Sequence, residues 1–175
     1  MNAPARYQPI QITLHWLTAI LVFAAFILGK VMTRIPNDDD AKLISLAIHM
    51  LLGILMLVVI VVRFATRVKL PKPIHASTGN TLLDSLGKLV HYALYLFVFL
   101  MAVSGMMLSL QSELPKIVFF GSGVLPVDFF DFTARALHGF IAPVLLLLIL
   151  LHIGAAFYHQ LLLKDKLFSR MWYGK

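Results

Sequence analysis

The run ALHGFIAPVLLLLILLHIGAAFYHQLLLKDK, residues 136–166, carries no charged side chain before Lys164, yet it holds His138, His152 and His159. A helix that crosses a bilayer needs roughly 20 apolar residues, and a core helix of a small soluble domain is shorter than this run. The run therefore reads as a membrane span. His138 and His152 are 14 residues apart, which sets them roughly 21 Å apart along a helix axis. Fourteen residues is close to four turns, so both imidazoles point to nearly the same side. An unpaired ring in hydrocarbon is costly, so a histidine inside a span is a functional hypothesis. Two on one face, one near each leaflet, suggest two ligand sites stacked across the membrane.

The rest of the chain agrees with a membrane class. Of 175 residues 60% are hydrophobic and only 13% charged, about half the charged share of a soluble domain. With no cysteine there is no disulfide, thiolate metal site, iron–sulfur cluster, thiol nucleophile or covalently attached c-type haem. The net charge of +7 fits cytoplasmic loops better than nucleic-acid binding, which we discount.

The expected fold is all-α: an integral membrane four-helix bundle forming one domain over 1–175, with spans at about 14–33, 43–63, 89–110 and 134–163. No small-residue cleavage site follows the first apolar run, so it reads as a retained span. His15 lies near its start beside Trp16. Pro36-Asn37 marks a turn. His49 opens the second span and Arg63, again 14 residues on, closes it. LLDSLGKLVH reads as beginning with an interfacial helical turn that leads into the third span, which holds His91 and Gly105. Residues 111–133, rich in Phe, Gly and Pro, read as a segment on the membrane surface rather than a fifth span.

Orientation follows Lys and Arg in short loops. The side holding both termini has Arg6, Arg63, Arg67, Lys69, Lys72, Lys88, Lys164, Lys166, Arg170 and Lys175; the other has Lys30, Arg34, Lys42, Lys116 and Arg135. Both termini are expected in the cytoplasm. Most acids (Asp38, Asp39, Asp40, Glu113, Asp128 and Asp131) fall outside.

Depth then sorts the histidines into an outer pair, His49 with His138, and an inner pair, His15 with His152. Each pair joins two helices, as two axial ligands on one haem b iron require. Gly53, Gly139, Gly154, Ala142 and Ala155 beside them would let a macrocycle approach the backbone. Zinc wants its ligands within a few ångströms of one another, and a leaflet separates the two pairs. A proton relay wants carboxylates, and no span contains one. His91 and His159 near the inner face are candidates for a quinone head group, where a reduced carbonyl needs a proton donor. Arg63 and Arg67 could pair with haem propionates or that quinone, or snorkel to lipid head groups. His75 reads as a solvated loop residue, and Trp16, Tyr92 and Tyr95 as interface anchors.

Four stretches, RYQPIQITLHWLTA, IHMLLGILMLVVIVVRFATR, HYALYLFVFLMAVSGMML and LHGFIAPVLLLLILLHIGAAFYHQLLLKDKLFSRM, resemble the bacterial cytochrome b561 family. These are stand-alone relatives of the cytochrome b subunits of nickel–iron hydrogenase and formate dehydrogenase. The resemblance covers nearly the whole chain, and its specific part is the 14-residue His–His spacing of the last span. It implies two haem b groups in the bacterial inner membrane, an outer one on His49 and His138 and an inner one on His15 and His152. It also implies a ubiquinone site near the inner haem, with His159, Arg63, Arg67 and His91 as candidates.

One branch of that family resembles a superoxide oxidase, a superoxide:ubiquinone oxidoreductase taking electrons from superoxide outside. The alternative is a subunit relaying electrons from a periplasmic dehydrogenase or hydrogenase. Short loops favour the stand-alone form. Against superoxide, an anion is steered by positive potential, and the outer side has six acids to five bases.

Overall fold

The computed structural model describes residues 6–74 and 76–173, so the solvated loop position expected for His75 lies outside it, as does Lys175. Six helices follow in order: α1 Pro9–Met32, α2 Asp40–Lys69, α3 Thr81–Gln111, α4 Leu114–Phe120, α5 Thr133–Phe157 and α6 Leu167–Arg170. A 3-10 turn, Phe129–Asp131, leads into α5, and a π turn, Tyr158–Leu163, extends it. No strand occurs among the described residues. Among the described residues four helical stretches are long and apolar enough to cross a membrane: α1, α2, α3, and α5 with its π turn.

The caps decide where these helices end, and two of the helices extend beyond their apolar spans. The second helix does not end with the apolar span at Arg63. The helix runs on to Lys69 and stops at Leu70, whose extended backbone (φ −97°, ψ 152°) is what a residue before Pro71 must adopt. LLDSLGKLVH is helical and leads without a break into the span as the first part of α3. There the Asn80 side chain accepts from the amides of Leu82 and Leu83, satisfying donors that have no intrahelical partner. Gln111 at the end of α3 accepts from Ala134 N (3.2 Å) and so caps α5.

α1 packs on α2, α2 on α3 and α3 on α5, while neither α1 nor α2 packs its backbone closely on α5 among the described residues. A core of Leu14, Leu21 and Val22, Met56, Val59 and Ile60, Val98 and Leu145 fills the middle of the bundle. Its large outward residues, such as Ile20, Ile27 and Leu161, are exposed, as lipid-facing positions are. Lipid is as apolar as leucine, so packing and interhelical hydrogen bonds hold such helices together. Within 111–133, α4 buries Leu114 and Ile117 against α2 and α3, and the segment does not cross.

The two ends of the chain meet on one side, called here the terminal side. Tyr7 N donates to Arg170 O (3.2 Å), Trp16 Nε1 donates to Met171 O (2.8 Å), and Trp16 meets Trp172 edge to face. Trp16 is thus part of a clasp and more than an interface anchor.

On the far side Lys42 is buried, and its ammonium donates to the carbonyls of Met32 (2.7 Å) and Ile35 (3.0 Å). It closes the C-terminal end of α1, where a cation is favoured. Lys42→Ala is expected to destabilise the chain by about 1.5–3 kcal/mol, the range for hydrogen bonds to charged groups. A thermal melt in detergent would measure it.

Candidate functional site

Histidines gather at two levels. At the far-side level His49 on α2 faces His138 on α5, their ring centres 6.3 Å apart and their planes at 82°. At the terminal-side level His15 on α1 faces His152 on α5, with ring centres 6.1 Å apart and planes at 60°. Both rings of α5 therefore point toward the helices with which it shares no close backbone contact. Between the levels lies Leu145, seven residues from each α5 histidine and 2% exposed.

The far-side level is seated by small residues. Ser104 Oγ is 3.0 Å from His138 Nδ1. A Cβ placed on Gly105 would lie 3.1 Å from His138 Cε1, and one on Gly29 would lie 3.3 Å from His49 Cε1. His49 Nδ1 is buried without a hydrogen-bond partner. The other glycines beside the histidines differ among themselves. Gly139 has Arg135 beside it, with a guanidinium nitrogen 2.7 Å from where its Cβ would sit, while a Cβ on Gly53 or Gly154 would meet nothing within 4 Å.

The terminal-side level draws in further groups. Arg63 reaches His15 Nδ1 at 2.8 Å. A guanidinium only donates, so Nδ1 accepts and the proton of a neutral His15 ring resides on Nε2. Arg63 and Arg67 both lie over the Tyr95 ring, at 5.1 and 5.9 Å, which gives Tyr95 a cation–π role. His91 donates from Nδ1 to the Gly87 carbonyl (2.7 Å) and sets its ring edge against His152, with centres 5.0 Å apart. It belongs with the His15–His152 level.

His159 stands apart from that group. The π turn shifts its register from the simple two turns beyond His152, and its Nδ1 meets Asp165 Oδ2 at 2.6 Å. Asp165 is flanked by Lys164 and Lys166, both in the left-handed region at φ 56°. The sequence reading did not single out Asp165, Ser104, Tyr95 or Gly29 as part of a site. A hydroxyl beside a glycine within an apolar span was the signal for Ser104.

Such a pair of rings can hold a metal between them. An imidazole nitrogen lies about 2 Å from its metal, so two opposed rings have centres roughly 6 Å apart. Both levels meet that spacing. The wide α1–α5 and α2–α5 interfaces and the open space at Gly53 and Gly154 suit a flat macrocycle. Among the described residues no cluster of three or more His, Cys, Asp or Glu could hold a bare metal ion.

The family model described as prokaryotic cytochrome b561 matches residues 6–174. The chain is 31% identical to "Cytochrome b561 homolog 2" of Escherichia coli (strain K12), over 97% of this chain and 93% of that protein. It is 30% identical to "Cytochrome b562" of Cereibacter sphaeroides, over 98% of each. With nearly its whole length matched, the chain belongs to the prokaryotic cytochrome b561 family, membrane cytochromes b whose role is electron transfer with haem b.

Proposed function

We propose that this chain carries two haem b groups, one between His49 and His138 and one between His15 and His152, and moves electrons from a donor outside the bacterial inner membrane to ubiquinone inside. The observation that carries this reading is the repeat of one ring spacing, 6.3 and 6.1 Å, at two levels that share α5. Basic residues crowd the terminal side, which supports placing both termini in the cytoplasm.

When bound, haem b supplies a reversible one-electron carrier at each level. The chain does the rest. Leu145 and its core neighbours keep water from the space between the levels. Arg63 is an always-charged donor at the terminal-side level. A haem held on His15 Nε2 would require the ring proton on Nδ1, the nitrogen that here accepts from Arg63, and Arg63 would then be available to donate to anionic oxygens. The His159–Asp165 pair is the proton-handling group on that side. Asp165 orients the ring, and His159 stands ready to donate to a quinone oxygen.

Superoxide is the donor we propose. Two superoxide ions each give up one electron and leave as dioxygen, while ubiquinone takes both electrons and two protons and leaves as ubiquinol. A second reading, a subunit fed by a periplasmic redox protein, draws support from the far side. An open groove there is lined by Asp38, Asp39 and Asp40 with Leu43, Val124 and Val127. Lys42 is turned inward and Lys116 is paired with Glu113, so two of the five outer bases do little to draw in an anion.

The test is haem stoichiometry and superoxide-driven ubiquinol formation by the detergent-purified chain. Two b haems with turnover support the enzyme. Two haems without turnover transfer the reading to the relay subunit, and one haem or none removes the four-histidine assignment.

A further inference from the structure

On the assignment of His138 as an axial ligand, we propose that Ser104 is its positioning residue: its hydroxyl fixes which ring nitrogen of His138 faces the haem and how strongly that nitrogen donates. Ser104 lies on α3, a helix that contributes no axial ligand in that assignment. It is 1% exposed, among the most deeply buried side chains of the protein.

Two contacts set its role. Ser104 Oγ donates to the Met101 carbonyl at 3.0 Å and lies 3.0 Å from His138 Nδ1. A hydroxyl has one proton and two lone pairs. The carbonyl can only accept, so the hydroxyl proton is committed to it, and a lone pair remains for the imidazole. His138 Nδ1 is therefore the protonated nitrogen and donates to Ser104, with the Met101 carbonyl as a second acceptor within its reach. That leaves Nε2 with its lone pair exposed, the state an axial ligand requires.

The ring is also held in place. Gly105, the next residue, lets the α3 backbone approach so closely that a Cβ there would sit 3.1 Å from Cε1 and 3.4 Å from Nδ1 of His138. Hydroxyl and bare backbone form one seat.

The other three ligand candidates lack this arrangement. His49 Nδ1 has no partner, His15 Nδ1 accepts from Arg63, and His152 is contacted by rings. The seat thus marks the far-side level electronically as well as sterically. An N–H donated to an acceptor raises the basicity of the opposite nitrogen and favours the more oxidised metal.

The expected result for Ser104→Ala in the purified holoprotein is a roughly 10-fold weaker hold on the far-side haem, the low end for loss of such a partner. If that loss falls on the ferric form alone, the one-electron potential of this haem rises by about 59 mV. The other haem stays where it was. Ser104→Thr keeps the hydroxyl and should restore the potential. Redox titration followed by visible spectra reads all of this without any turnover assay.

An Ala variant with both potentials and both haem contents unchanged overturns the proposal, as does an equal shift of both haems, which would mean general loosening. If His138→Ala keeps both haems, the ligand assignment itself has failed. A wild-type assignment that holds beside a silent Ser104→Ala fails only the inference drawn here.

Discussion

On the proposed two-haem assignment, a His138→Ala chain is expected to purify with one b haem in place of two and to lose donor-to-quinone electron transfer to background. The reason lies in the pairing. His49 is the one histidine facing His138 among the described residues, and its Nδ1 is already without a partner. No third imidazole stands by to replace the missing ligand. His15→Ala is expected to remove the other haem, but with a different aftermath, because His91 lies 5.0 Å from His152. A residual low-affinity haem at the terminal-side level would mean that His91 has stepped in. Pigment content and the reduced-minus-oxidised spectrum check both variants. Retention of both haems by His138→Ala would sink the assignment.

The second large effect is expected at Leu145. Replacing it with aspartate sets a carboxylate at a position 2% exposed, midway between the two levels. Aspartate at the centre of a span costs about 2.5–3.5 kcal/mol on an insertion scale, and this one also faces the core formed with α1, α2 and α3. Both haems should be lost together, in contrast to the one-haem loss of His138→Ala. Leu145→Met nearly conserves volume and should cost under about 1.5 kcal/mol, with both haems retained. Thermal denaturation and haem content, measured on the same samples, separate the two variants. Survival of both haems in Leu145→Asp would show that the levels do not depend on that packing.

How much of this was legible from the residues depends on what each feature obeys. The four spans were, because an apolar run longer than a bilayer is thick admits few other readings. Their ends were not, because hydropathy reports what lipid tolerates, while a helix ends where its caps do. α2 continues through Arg63 to the residue before Pro71, and α3 starts at the Asn80 cap. That His15 comes to His152 and His49 to His138 followed from depth alone. The surroundings of those rings did not, since they depend on how each helix is rotated about its axis. Ser104, Gly29 and the stacking of Arg63 and Arg67 on Tyr95 all belong to that rotation. The π turn that brings His159 to Asp165 has no signature in a hydrophobic pattern of period 3.6. The place of Lys42 was not legible for a related reason. Its charge suggests solvent, but the unpaired carbonyls at the end of α1 draw it inward.

α5 supplies one imidazole to each level, and the opposing rings come from two different helices. Grip and distance are thereby assigned to different parts of the molecule. If α1 or α2 leans away from α5, the hold on one level loosens without moving the other. The interval along α5 stays fixed at 14 residues, or roughly 21 Å of helix rise. The one place where that ruler can yield is Pro143, which lies between the two histidines and leaves the Gly139 carbonyl without its usual helical donor. A bundle built this way ties the spacing across the membrane to one helix and leaves the grip of each level to a different seam.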